Sequence, residues 1–341
     1  MPPMRDEALS DVLKVWLYAA AFVLLGAWIS PLLYNAGKAL AEVSAAKQTN
    51  GPLEWLAGQC RVTGFPGFFK LAMMLSAAAL FIPLIEWLRG GRAADRGKVG
   101  SLRLPDGARN QTAGQRLVKN PHRFRQAVTG FLGVTVLFSL MAAALVFAGI
   151  FEWKNPAQPM TGIVLRALAT SVALAVVQEI LFRGIAMGIF LRAMRPAAAL
   201  GLSAAFFALV HFLNPPPGLD VLDPDASGVG FELLRKIAAQ FSEPRIILGT
   251  LMPLLALGGM LAYARWETAS LWLPIGLHSG WIFVNAILAH VTLPVSHPDS
   301  MVWMLSGSNL QQGLLPLAGI LIAGGLVIRL TTPADAPETP A

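Results

Sequence analysis

A single cysteine, Cys60, is all the thiol chemistry that this 341-residue chain carries. One thiol cannot form a disulfide framework or a cysteine-based zinc site, so Cys60 reads as small apolar filler or a lone thiol near a helix end. Charge is scarce too. Charged residues make up 13% of the chain, against about 25% for a soluble domain, which excludes an ordinary water-soluble fold. The metalloprotease motif HExxH is absent, and Gly276-Leu277-His278-Ser279 is not the GxSxG of a serine hydrolase. The apolar runs hold no Asp, so an aspartyl intramembrane protease lacks its catalytic pair. The start of the chain, with Arg5, Asp6, Glu7 and Asp11, is unlike the basic leading region of a secretory signal.

Apolar length is what the sequence has in quantity: 55% of residues are hydrophobic and the mean hydropathy is +0.60. A bilayer core needs roughly 20 apolar residues of helix. Runs near that length lie at about 12–34, 66–88, 127–151, 161–191, 197–213, 246–264, 269–291 and 313–330. The expected fold is therefore an all-α membrane protein of about eight transmembrane helices. Ten basic residues from Arg89 to Arg125 stand against Asp95 and Asp106, and such a segment marks a cytoplasmic loop. Both chain ends are then cytoplasmic, and the expected setting is a bacterial inner (plasma) membrane. The net charge of +7 is explained by this topology, so no nucleic acid is expected as a partner.

The chain divides accordingly. Residues 1–160 form an N-terminal three-span region with the basic loop 89–126, residues 161–291 a core, residues 292–330 the last span, and residues 331–341 a disordered tail. Residues 35–65 read as a mixed polar loop. Residues 214–245 read as a long loop holding a short interfacial helix over 231–241.

Polar residues inside the apolar runs stand out, because an ionisable side chain at the centre of a membrane helix costs roughly 2.5–3.5 kcal/mol on insertion scales. The fourth run contains Gln178-Glu179-Ile180-Leu181-Phe182-Arg183, where Glu179 and Arg183 share a helix face four residues apart. The fifth run contains His211 and the seventh His278. Gln178 lies 17 residues before Arg195 and His211 lies 16 after it, so in an antiparallel hairpin turning there the two reach similar depth. His278 follows Arg265 by 13 residues and comes to nearly the same level. Three helices are thus expected to deliver Gln178/Glu179, His211 and His278 to one pocket. His122, His290 and His297 read as solvated or interfacial.

Gln178-Glu179-x-x-x-Arg183, Phe207-x-x-x-His211 and His278 on a later membrane helix resemble the three ordered motifs of the CPBP family. These are the CAAX-prenyl-protease-2-like and bacteriocin-processing intramembrane endopeptidases, whose patterns are EExxxR, FxxxH and HxxxN. The resemblance covers roughly residues 161–291. It implies peptide-bond hydrolysis without a covalent intermediate: the first Glu and the FxxxH histidine activate a water, and the third-motif His and Asn stabilise the oxyanion. The implied site is Gln178, Glu179, Arg183, His211 and His278, with Phe207, Ile282 and Asn285 in support. Two positions depart from the pattern. Gln178 replaces the first Glu, and an amide cannot accept the proton. Ile282 replaces the Asn and donates nothing. Glu179 is a substitute base, although it points about 100° away from Gln178. Asn285 is a substitute donor, about 10 Å along the axis from His278.

The implied partners are a peptide or membrane-protein substrate and the lipid bilayer. No cofactor is expected; zinc on Glu179, His211 and His278 is the lesser alternative, disfavoured by the cationic Arg183. A non-catalytic membrane protein that binds or regulates other membrane segments is the reading from a different class, and Gln178 and Ile282 are the residues that favour it. A transporter is a third, resting on Pro253 and Pro274 as helix breakers.

Overall fold

The protein, seen as a computed structural model, is described over residues 4–48, 50–95, 121–156, 158–215, 221, 223–295 and 310–331. Most of the basic loop, His297 and the tail beyond residue 331 lie outside the described residues. The chain is an integral, multi-pass, all-α membrane protein. Among the described residues, seven helices are long and apolar enough to cross a membrane. The fifth expected span, Pro196–Phe212, is a shorter apolar helix of 17 residues. We number the helices α1 (Met4–Lys47), α2 (Gly51–Val62), α3 (Phe65–Asp95), α4 (Arg123–Phe147), α5 (Met160–Ala193), α6 (Pro196–Phe212), α7 (Val229–Ala239), α8 (Pro244–Thr268), α9 (Trp272–Val291) and α10 (Leu314–Thr331). They fall into two compact units, Met1–Leu102 with Val210–Glu243, and Arg103–Leu209 with Pro244–Ala341.

In the first unit, the expected polar loop over 35–65 is helical instead. Helix α1 runs on to Lys47, and α2 follows after a short turn. The reason is that the polar residues of this stretch are themselves good helix formers with partners to hand. Lys38 Nζ donates to the carbonyls of Cys60 (3.1 Å), Arg61 (3.0 Å) and Thr63 (2.8 Å), so an ammonium caps the carbonyl end of α2. Ser44 Oγ donates to Glu54 Oε2 at 2.6 Å. Cys60 is a half-buried free thiol two residues before the end of α2.

The helix expected over 231–241 is present as α7, but its apolar face is not left for lipid. Val229, Leu233 and Ile237 pack into a core with Ala27, Phe65 and Phe69. Gly230 makes this possible, since a Cβ there would stand 1.9 Å from the Ala27 carbonyl oxygen.

The second unit is built around α9. Over half of its apolar window, 56%, is enclosed, against 22% for α5, so α9 is the central helix and α5 shows more surface to its surroundings. Gly276 and Gly280, one turn apart, bring α4 close. A Cβ at these positions would meet the carbonyl oxygens of Ala127 at 2.2 Å and Phe131 at 2.6 Å. Two small residues four apart allow backbones to approach where lipid supplies no hydrophobic drive. Phe138 and Trp281 seal the same seam edge-to-face, with centroids 4.7 Å apart.

The expected third span stops short of residue 151 for a local reason. Gly149, with φ +73°, ends α4 in a left-handed turn, where Ile150 N donates to Leu145 O and Gly149 N to Val146 O. The chain then enters β1 (Phe151–Trp153), which pairs antiparallel with β2 (Thr292–Pro294) in the register Phe151↔Pro294. This two-stranded ribbon, unforeseen in the sequence, ties the end of α4 to the end of α9.

Gly276→Val should lower stability by about 1–3 kcal/mol, the usual cost of overpacking. Gly259→Ala should stay near wild type, since nothing lies within 4 Å of its added Cβ. Thermal unfolding of the detergent-solubilised protein checks both.

Candidate active site

Helix α5 does not keep one pitch. After Glu179 it widens into a π-helical turn, Ile180–Ala186, in which the Met187 N–H reaches back five residues to the Phe182 carbonyl. Such insertions occur often at functional sites, and nothing in the spacing of apolar residues announces them. This one begins directly after Glu179 and contains Arg183 at its centre.

Glu179 has no accessible surface and Arg183 only 1%. Arg183 Nη1 donates to Glu179 Oε1 at 2.9 Å, so the pair expected from the i,i+4 spacing forms. Arg183 Nη2 donates to the Gly258 carbonyl on α8 at 3.1 Å. The guanidinium carbon lies 4.3 Å from the centroid of the Phe207 ring. A desolvated guanidinium over an aromatic face gains cation–π energy as well as hydrogen bonds. Gly258 admits this packing: a Cβ there would stand 3.0 Å from Ala204 Cα and 3.2 Å from the Phe207 ring. Sequence reasoning missed Gly258, and the available signal was its place in a Gly258-Gly259 pair inside an apolar run.

His278 reaches the same carboxylate from α9. Its Nδ1 lies 2.7 Å from Glu179 Oε1, and its side chain is 3% exposed. Gly276 and Gly280 face α4, while His278, two residues from each, projects from the other side of α9. In the tautomer with the proton on Nδ1, this contact is a donation to the carboxylate and the Nε2 lone pair is turned away from Glu179. The Phe207 ring meets the imidazole edge-to-face at 5.5 Å.

Three of the expected residues therefore meet at one oxygen, Glu179, Arg183 and His278, and Phe207 packs against the guanidinium and the imidazole. Glu179 Oε2 and the half-buried Gln178's Oε1 are enclosed and without a hydrogen-bond partner among the described residues. His211 lies in the segment Val210–Glu243 of the first unit, half-buried, and its carbonyl accepts from Asn214 Nδ2 at 2.9 Å. Ile282 is half-buried on α9. Asn285 spends its amide hydrogens on its own helix, Nδ2 donating to the Trp281 carbonyl at 2.9 Å, while its Oδ1 is enclosed with no partner. Ser279 likewise bonds the Gly276 carbonyl. Among the described residues no group of three or more His, Cys, Asp or Glu side chains is placed to hold a metal ion. The carboxylate oxygen that faces His278 already has a guanidinium beside it.

Residues 160–284 match the model of the family described as type II CAAX prenyl endopeptidase Rce1-like. The matched stretch holds α5, α6, α7, α8 and most of α9, and with them all the residues that meet at Glu179. No curated protein and no solved structure matches the chain.

Arg183→Met should destabilise the protein by about 3–5 kcal/mol, because it strands a buried carboxylate. The double change Arg183→Met with Glu179→Gln should recover part of that loss. A double-mutant cycle on unfolding in detergent measures both.

Proposed function

From the match of residues 160–284 to the family described as type II CAAX prenyl endopeptidase Rce1-like, we propose that this protein is an intramembrane peptidase that hydrolyses a peptide bond with a bound water. The observation that carries the proposal is the 2.7 Å contact of His278 Nδ1 with the buried Glu179 carboxylate.

Gln178 cannot take a proton from water, so the base must be another group. His278 is suited to the task. Glu179 holds its tautomer and ring orientation, and Arg183 supplies the countercharge that makes the buried carboxylate tolerable. In the proposed step a water gives a proton to His278 Nε2 as its oxygen attacks the scissile carbonyl carbon. The same proton passes to the leaving nitrogen when the C–N bond breaks, so the products are an acid and an amine. Glu179 and Arg183 are positioning residues in this scheme. The Gln178 amide hydrogens serve the developing oxyanion. His211 is tested with them because it matches the FxxxH motif. The substrate is a peptide or membrane-protein segment presented at the bilayer, and the bacterial inner membrane is the proposed location. Zinc is not required by this scheme.

One feature supports a non-catalytic binder instead. The amide at Gln178 and the apolar Ile282 stand where the family pattern places a Glu and an Asn.

Comparing protein N-termini in cells with wild type, Glu179→Ala, His211→Ala, His278→Ala or no protein separates the two readings. A peptidase yields a product with wild type that falls by about 10²-fold or more in the variants, the usual worth of a positioned acid–base group. Gln178→Glu should raise that yield. Identical N-termini in every sample, with all variants expressed and folded, would leave the binder.

A further inference from the structure

Some distance from Glu179, the second unit carries a basic cleft that the proposed hydrolysis does not use. Two adjoining recesses, each of about 200 Å³, share Ile163 and His290. The first is lined further by Arg166 and Thr170 of α5, and the second by Lys154 and Gln158 of the segment that leads from β1 into α5. Among the described residues no carboxylate lines either recess. Among the described residues neither Lys154 nor Arg166 has an ion-pair partner, in contrast to Arg183 on the same helix. Arg166 is 13 residues from Glu179 on α5 and His290 is 12 from His278 on α9, so the cleft lies roughly 20 Å along the helices from the hydrolytic cluster.

Its level relative to a bilayer follows from the side chains. Arg166 folds back toward the start of α5: its Nε donates to the Gly162 carbonyl at 3.2 Å, and its Nη2 donates to Gln158 Oε1. That is the posture of a cation drawing its charged head out of hydrocarbon. On the same helix Leu165, Leu168 and Val172 are exposed, and Trp153 at the end of β1 is 63% exposed. Apolar side chains below and a tryptophan beside the polar cap describe the headgroup level. His290 donates Nδ1–H to the Ala286 carbonyl at 2.8 Å, so the ring is held in place by its own helix.

We propose that the cleft formed by Lys154, Arg166 and His290 binds a phosphate group, that of an anionic phospholipid at the membrane surface. A planar guanidinium in one recess and an ammonium in the recess beside it, with His290 lining both, suit phosphate oxygens. The inference does not depend on the protein being a peptidase.

Native mass spectrometry of the full chain, purified in detergent and supplied with phosphatidylglycerol or phosphatidylcholine, is the test. Wild type should retain phosphatidylglycerol in preference by about tenfold. Lys154→Gln with Arg166→Gln should abolish that preference, while Arg329→Gln, on α10, should keep it. Inorganic phosphate is the second arm. If it displaces the lipid at millimolar levels, the site binds phosphate but a free anion is its source; if it does not, the lipid is the ligand. Three results overturn the proposal: no preference in wild type, an unchanged preference in the double variant, or an equal loss in Arg329→Gln. Size-exclusion profiles and thermal unfolding show that each variant is folded, so a lost preference reports binding.

Discussion

A carboxylate without solvent is tolerable only beside a cation, and the arrangement around Glu179 follows from that requirement. Arg183 supplies the charge and has five N–H groups to place, of which the one on Nε is enclosed without a partner among the described residues. One goes to Glu179 and one to the Gly258 carbonyl, and the flat face rests on Phe207. The pair therefore fixes more than itself. It constrains α5, α6 and α8 at one point, and His278 adds α9 through the same carboxylate oxygen. Such a cluster is poor evidence for added stability, since apolar residues of similar volume often serve as well or better. Its value lies in the orientation that it imposes on the imidazole.

The helix that delivers His278 is positioned by residues with almost no side chain. Gly276 and Gly280 let α4 approach to backbone contact, and the β1–β2 ribbon ties the far ends of α4 and α9. A histidine between two glycines projects from the other side of α9. Close packing on one face thus sets the depth and rotation of a polar group on the other. The π-helical turn in α5 acts in the same way on Arg183, by re-aiming the residues that follow Glu179.

Glu179 is shared between Arg183 and His278 rather than aimed at open space, so its chemical influence passes through the histidine. The resemblance in motif order and the match over residues 160–284 concern the same stretch of chain. The first 150 residues contribute spans and, in α1 and α2, helix where polar composition suggested loop.

Hydropathy alone determined the membrane class and most of the spans, because burying backbone in lipid demands long apolar helices and leaves a periodic mark on composition. Spacing alone determined the Glu179–Arg183 pair, since residues four apart on one helix meet whatever the rest of the chain does. The contact of Glu179 with His278, 99 residues apart, was legible only as equal depth. Which ring nitrogen faces the carboxylate, the Gly258 acceptor, the π-turn, the β-ribbon and the burial of α7 against α1 were not legible. Each depends on how closely two backbones approach and on which side chain takes the second partner of a polar group. Those are properties of packed helices, and only the tertiary structure decided them.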